Sequence, residues 1–171
     1  MDITNTLIAD ITKIAIKYLI AEFKKQGHEL TGAFEREIQS KYEKTLFGTT
    51  IQILMPYYGR YLERGVPAAR IPFSPNSGRP HSKYIEALIG YAKLRMNVSS
   101  EKEATSIAFA IAKKHKKEGM PTKASARFST TGKRIEFIDD ATPEIEKEIN
   151  KYLLLNMQVA IETILYNAIK K

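Results

Sequence analysis

The sequence predicts an α+β protein. Apolar residues recur at helical spacing near both ends of the chain, an alternating stretch between them reads as strands, and two further helical segments fill the middle. Its 171 residues suffice for one domain with its own core, or for one domain carrying a sizeable insertion. Apolar residues make up 43% and charged residues 27%, which places the chain among folded globular proteins rather than disordered or fibrous ones.

The first helix is expected over about residues 2–26, where Ile3, Leu7, Ile11, Ile14 and Tyr18 step by three and four and Gly27 closes the run. His28-Glu29-Leu30-Thr31-Gly32 then breaks the chain, with Thr31 placed to cap a short turn. Residues 34–55 read as two strands. Ile38, Tyr42 and Leu46 are poorly spaced for a helix face, Thr49, Ile51, Ile53 and Met55 alternate, and Gly48 marks the turn. Residues 57–65 form an aromatic and basic segment ended by glycine. The following loop, 66–80, holds four of the seven prolines and is longer than a plain connection needs.

Two helices follow. Residues 83–97 carry Tyr84, Leu88, Ala92 and Met96 along one side, and residues 100–118 open on Ser100 with Glu103 three positions later, a capping box. Residues 120–129 are basic and irregular, Thr131-Gly132 is a turn, and residues 134–138 are a candidate third strand. The last helix is expected over about 144–169 with Pro143 in its first turn, where a missing N–H costs little. It shows two apolar series at once: Ile149, Leu153, Met157, Ala160, Ile164 and Ala168 on one side, and Tyr152, Leu155, Val159, Tyr166 and Ile169 on another. A chain this small cannot bury every element twice, so such a helix predicts an oligomer of the chain with itself. No internal repeat, low-complexity tract or heptad array stands out.

The inventory for catalysis is poor. With no cysteine, disulfides, thiolate metal sites and thiol chemistry are all excluded. His28, His81 and His115 stand apart from one another, and no zinc-protease, phosphate-loop, nucleophile-elbow or dinucleotide motif is present. Asp139-Asp140 precedes a helix and reads as a capping, dipole-countering pair. No enzyme, cofactor or metal is expected. Asp10, Lys13 and Lys17 interrupt the first apolar run, and Asn156, Gln158, Glu162 and Asn167 recur through the last, so neither a signal peptide nor a membrane span is expected and the chain reads as soluble. The formal charge of +8 permits contact with nucleic acid without requiring it. Lys113 to Lys117 suit the carboxy-terminal end of a helix dipole. Arg60, Arg64, Arg70 and Arg79 surround the aromatic segment and the long loop, where guanidinium forks can meet phosphate or a partner's carboxylates.

Pro56-Tyr57-Tyr58-Gly59-Arg60-Tyr61-Leu62-Glu63-Arg64-Gly65-Val66 resembles the Tyr-Ala-x-Tyr-x-Glu-x-Gly-Thr signature of tail-completion proteins of tailed bacteriophages, also called neck or head–tail joining proteins. Val66 stands where that signature has threonine and Gly59 where alanine is common. Leu30-Thr31-Gly32-Ala33-Phe34 is similar to the break that follows the family's first helix. Residues 107–114 leading to Gly119-Met120-Pro121-Thr122-Lys123 are similar to the element that follows an inserted helical hairpin, here about 83–118. Phe137-Ile138-Asp139-Asp140-Ala141 is similar to the family's closing strand-and-helix motif. The resemblance covers most of the chain, and the order of short motifs carries it.

What it implies is a single neck-type domain over 1–171, with terminal helices packed on a small curved antiparallel sheet. The subunit would join a homo-oligomeric ring in the virion neck, assembled in host cytoplasm between portal or adaptor and tail proteins, lining the DNA channel without catalysis. Tyr57, Tyr58, Tyr61, Glu63, Tyr152, Leu155 and Val159 are then the expected ring contacts. Arg60, Arg64, Arg70 and Arg79 would face DNA or an adjacent ring. The competing reading is a stand-alone basic nucleic-acid-binding protein.

Overall fold

The computed structural model describes residues 3–74 and 82–170, with side chains from residue 5 onward. Among them the order is α1 (Ile3–Lys25), α2 (Ala33–Glu37), β1 (Gln39–Thr45), β2 (Gly48–Leu54), α3 (Gly59–Arg64), α4 (Lys83–Met96), α5 (Glu101–Glu118) and α6 (Phe137–Ile169), with 3-10 turns at Ala68–Arg70 and Lys123–Phe128. The fold is α+β, with long terminal helices and one two-stranded antiparallel sheet.

Helices α1 and α6 lie antiparallel. Gln26, just past α1, donates through Nε2 to Asp140 in the first turn of α6 (3.0 Å), while Tyr152 Oη donates to Asp10 near the start of α1 (2.7 Å). Their shared core is aromatic. Phe23 stacks on Phe34 with centroids 3.9 Å apart, and Phe137 meets both edge-on at 5.4 and 5.7 Å, an arrangement that suits the ring quadrupoles. Leu19 and Ala141 complete the buried set, with Ile38, Ile53, Met55 and Leu62 packed around it.

Burial of Phe34 corrects one expectation. Residues 33–37 form a short helix rather than the start of a strand, because a helical turn aims Phe34 into this cluster. The hairpin proper begins at Gln39, in a register running from Gln39 opposite Leu54 to Thr45 opposite Gly48. Ile51 and Ile53 are half-buried while Thr50 and Gln52 are exposed, the alternation expected of a sheet with one covered face.

A second correction concerns residues 134–138, which do not form a third strand. Glu136 sits at φ 61, ψ 37, a left-handed conformation incompatible with a strand. Its N–H donates to the Glu63 carbonyl at 2.8 Å, and the Ile138 N–H donates to Glu63 Oε2 at 2.9 Å. Glu63 thereby caps α6 from another element, and the helix begins at Phe137. Pro143 consequently lies inside α6 rather than in its first turn. It is exposed, and it leaves the Asp139 carbonyl without its usual N–H.

The α4–α5 hairpin has a core of its own. Ala92, Ala104, Ala108 and Ala112 are fully buried, so the two helices approach closely, with Ile85 and Ile89 beside them. Ser82 and Ser100 cap the two helices by accepting from Ile85 N and Glu103 N. Ile71 and Phe73 join this core, so the first part of the 66–80 loop is packed, with a 3-10 turn at Ala68–Arg70. The chain leaves for the hairpin and returns from it at one point. Val66 and Met120 exchange reciprocal N–H to carbonyl bonds of 2.7 and 2.8 Å, and Gly119 (φ +83) permits this approach, since a Cβ there would stand 2.7 Å from the Val66 carbonyl oxygen.

Candidate assembly surface

Helix α6 changes character at Leu153. Up to that residue its inner face is covered by α1; from Leu154 to Lys170 every residue is exposed. Leu154 and Ile164 are each 67% exposed, with Leu155, Met157, Val159, Ile161, Leu165 and Tyr166 more than half exposed as well. Glu162 is the one charged residue between Leu154 and Ile169, and it accepts from Gln158 Nε2 at 2.9 Å. Monomeric proteins rarely leave a contiguous apolar surface of this extent in water. The hairpin adds a second such feature, because Leu46 and Phe47 at its tip are each 99% exposed. Both lie toward the same end of the molecule: Lys44 Nζ donates to Asn5 Oδ1 at the start of α1, the end past which α6 extends.

The residues expected at a ring contact divide into two groups. Leu155 and Val159 lie on the exposed half of α6, and Tyr57, Tyr58 and Tyr61 present exposed rings around α3. Tyr57 and Tyr61 meet edge-on at 5.5 Å with their hydroxyls 3.2 Å apart, and the Arg60 guanidinium lies 5.9 Å from the Tyr57 centroid. Glu63 and Tyr152, in contrast, are engaged within the chain, one capping α6 and the other donating to Asp10. Burial raises the Glu63 pKa against the opposing pull of its bond from Ile138 N–H. The bond from Tyr152 lowers the Asp10 pKa and raises that of Tyr152 itself.

Arg60, Arg64 and Arg70 are exposed, and Arg60 lies over the Tyr57 ring. Arg79, like His81, lies outside the described residues. The guanidinium groups that do converge were not singled out by sequence: Arg95, Arg127 and Arg134 stand 5.8, 4.9 and 5.8 Å from the Phe128 centroid. Arg134 also donates to the Gln26 and Gly27 carbonyls and Arg95 to the Glu29 carbonyl, so these two fasten chain segments together. The lysine run at 113–117 is similarly occupied. Lys114 pairs with Glu118, Lys116 donates to the Ile71 carbonyl, and His115 Nδ1 lies 2.7 Å from Tyr84 Oη. Burial lowers the His115 pKa and pushes that of Tyr84 up to about 12.

His28 is more than an incidental polar position. It packs against Phe23 and Phe137, both ring nitrogens are buried without hydrogen-bond partners, and burial followed by the nearby Arg134 charge pulls its pKa down to about 4. A neutral ring filling the edge of the aromatic core accounts for it. Asp140 of the acidic pair accepts from Gln26 and from Lys133, which ties α6 to the rest of the body. Among the described residues no group of three His, Asp or Glu side chains is placed to hold a metal ion, and no helix is long and apolar enough to cross a membrane. Comparison with known protein families, with curated proteins and with solved structures finds no match to this chain.

Proposed function

We propose that the protein is a structural virion component, one subunit of an oligomeric ring at the neck of a tailed bacteriophage, joining portal or adaptor to tail. The observation that carries this reading is the exposed apolar half of α6, a surface that water disfavours and that subunit contact would cover. The ordered neck-type motifs supply the location, and the net charge of +8 suits non-specific contact with DNA passing through a channel, since phosphate contacts carry no base information.

Light scattering on the purified chain, alone and mixed with portal or adaptor rings and with tail proteins of the same phage, tests the proposal. Higher-order assembly is the expected result. A strict monomer with no affinity for any of them would overturn it. The competing stand-alone nucleic-acid binder has less in its favour, because Lys114 and Lys116 are already engaged within the fold. Tight DNA binding that survives moderate salt with no assembly partner would decide for that alternative.

A further inference from the structure

We infer that residues 154–169 of α6 form one stave of a parallel helical barrel, each stave meeting the same helix of its two neighbours through two different apolar edges. The inference rests on the ring reading above and adds which surfaces meet. The first edge is Leu154, Met157, Ile161, Ile164 and Ala168; the second is Leu155, Val159, Glu162, Tyr166 and Ile169, apolar except for Glu162 at its centre. Each repeats by alternating steps of three and four, the spacing of a helix–helix seam. Each spans only about two heptads, short of the three or four that mark a coiled coil in sequence.

Two edges on one helix distinguish a ring from a pair. A twofold pair of helices needs one seam, whereas a closed ring needs two, separated by the corner angle of the polygon. At about 100° per residue the two edges are centred about 140° apart, roughly the corner of a nine-sided figure, and 20° either way spans about six to eighteen sides. The remainder of the subunit agrees with this placement. Ala141, Ile145, Ile149 and Tyr152, which pack toward α1 in the first half, project away from the bisector of the two edges, so the body stands outside the barrel. Asn156, Thr163 and Asn167 share that outer side. Toward the axis residues 154–169 present Gln158 and Leu165, with Lys147 and Lys151 on the same side of the preceding turns.

A second copy is the occupant these features select. Residues 154–169 extend about 25 Å at 1.5 Å per residue. A partner must offer an equally long apolar edge of matching step, and this chain offers one on either hand. Like-charge repulsion is absent from the seams, since Glu162 is their one charged residue. A parallel arrangement brings Glu162 beside Ile161 of the neighbour, with Gln158 of its own chain still donating to it.

The chain contains no cysteine, so introduced thiols report cleanly. Met157→Cys combined with Val159→Cys should, on mild oxidation, give a ladder of cross-linked species extending beyond the dimer. Ile161→Asp and Val159→Asp, each at an exposed position, should leave thermal unfolding in place and each give monomers, while an equal mixture of the two gives heterodimers through the one intact pair of edges. Cross-linking that stops at dimers overturns the barrel, as does a ring that both aspartate variants leave intact. Those results leave the neck reading standing; a wild-type chain that is strictly monomeric and indifferent to portal and tail components sinks both.

Discussion

The two halves of α6 lie in opposite surroundings, and the one richer in apolar residues is the one in solvent: seven of the 17 residues 137–153 are apolar against eleven of the 16 residues 154–169. In the first half Phe137 is fully buried against Phe23 and Phe34, and Ala141 is buried beside Leu19. In the second half Ile164 and Leu165, no less hydrophobic, stand in solvent. The first half holds the subunit together, and the second adds nothing to its own core. The difference teaches that apolar residues along a helix do not by themselves ensure that the rest of the same chain covers them.

Substitutions can break or sharpen this contrast. Phe137→Ala should cost about 3–5 kcal/mol in urea denaturation of the subunit, because it empties the centre of the aromatic cluster; a loss under about 1 kcal/mol would mean that α6 is held elsewhere. Acid should act next, through His28 against Phe137. Its folded pKa of about 4 lies below the ordinary 6.5, so the unfolded chain takes up the proton first. The stability from keeping the ring neutral is complete above about 6.5, declines as pH falls, and is gone below about 4. Allowing for partial solvent screening the loss is on the order of 2 kcal/mol. His28→Leu should flatten the pH dependence of the melting temperature across that window, and an unchanged slope would exclude His28 as its source.

Glu63→Ala should cost about 1–2 kcal/mol by leaving the amino-terminal N–H groups of α6 without a cap, and hydrogen exchange should quicken at Ile138. Ending the chain after Leu153 should have the smallest effect on the subunit, within about 0.5 kcal/mol in denaturation, while abolishing assembly. A truncated chain that unfolds, or that assembles as before, would erase the distinction between the halves.

Much of the helical framework was legible in the sequence. Capping by Ser100, the closing glycines at 27 and 119, and the two-sided character of α6 all arise from residues close together in the chain. The failures share a cause. Ile135-Glu136-Phe137-Ile138 looks strand-like in isolation, and only Glu63, far away in sequence, turns it into a helix start. Phe34 likewise enters a helix because of Phe23 and Phe137, which no local pattern announces. On the second half of α6, Leu155 and Val159 stand exposed on an apolar period that the sequence already shows. The internal engagement of Glu63 and Tyr152 was hidden, because a hydrogen bond to a distant partner leaves no period behind.

The reciprocal bonds between Val66 and Met120 make the α4–α5 hairpin an exchangeable cassette. Its two ends are fastened to each other there, and a further bond, from Arg95 to the Glu29 carbonyl, ties the excursion to the body. A shorter hairpin grafted between those two residues should preserve the cooperative melting of α1 and α6 followed by circular dichroism, and loss of that transition would show the two parts to be interdependent. Such a junction lets the reach of the arm be tuned separately from the rigidity of the base that carries it.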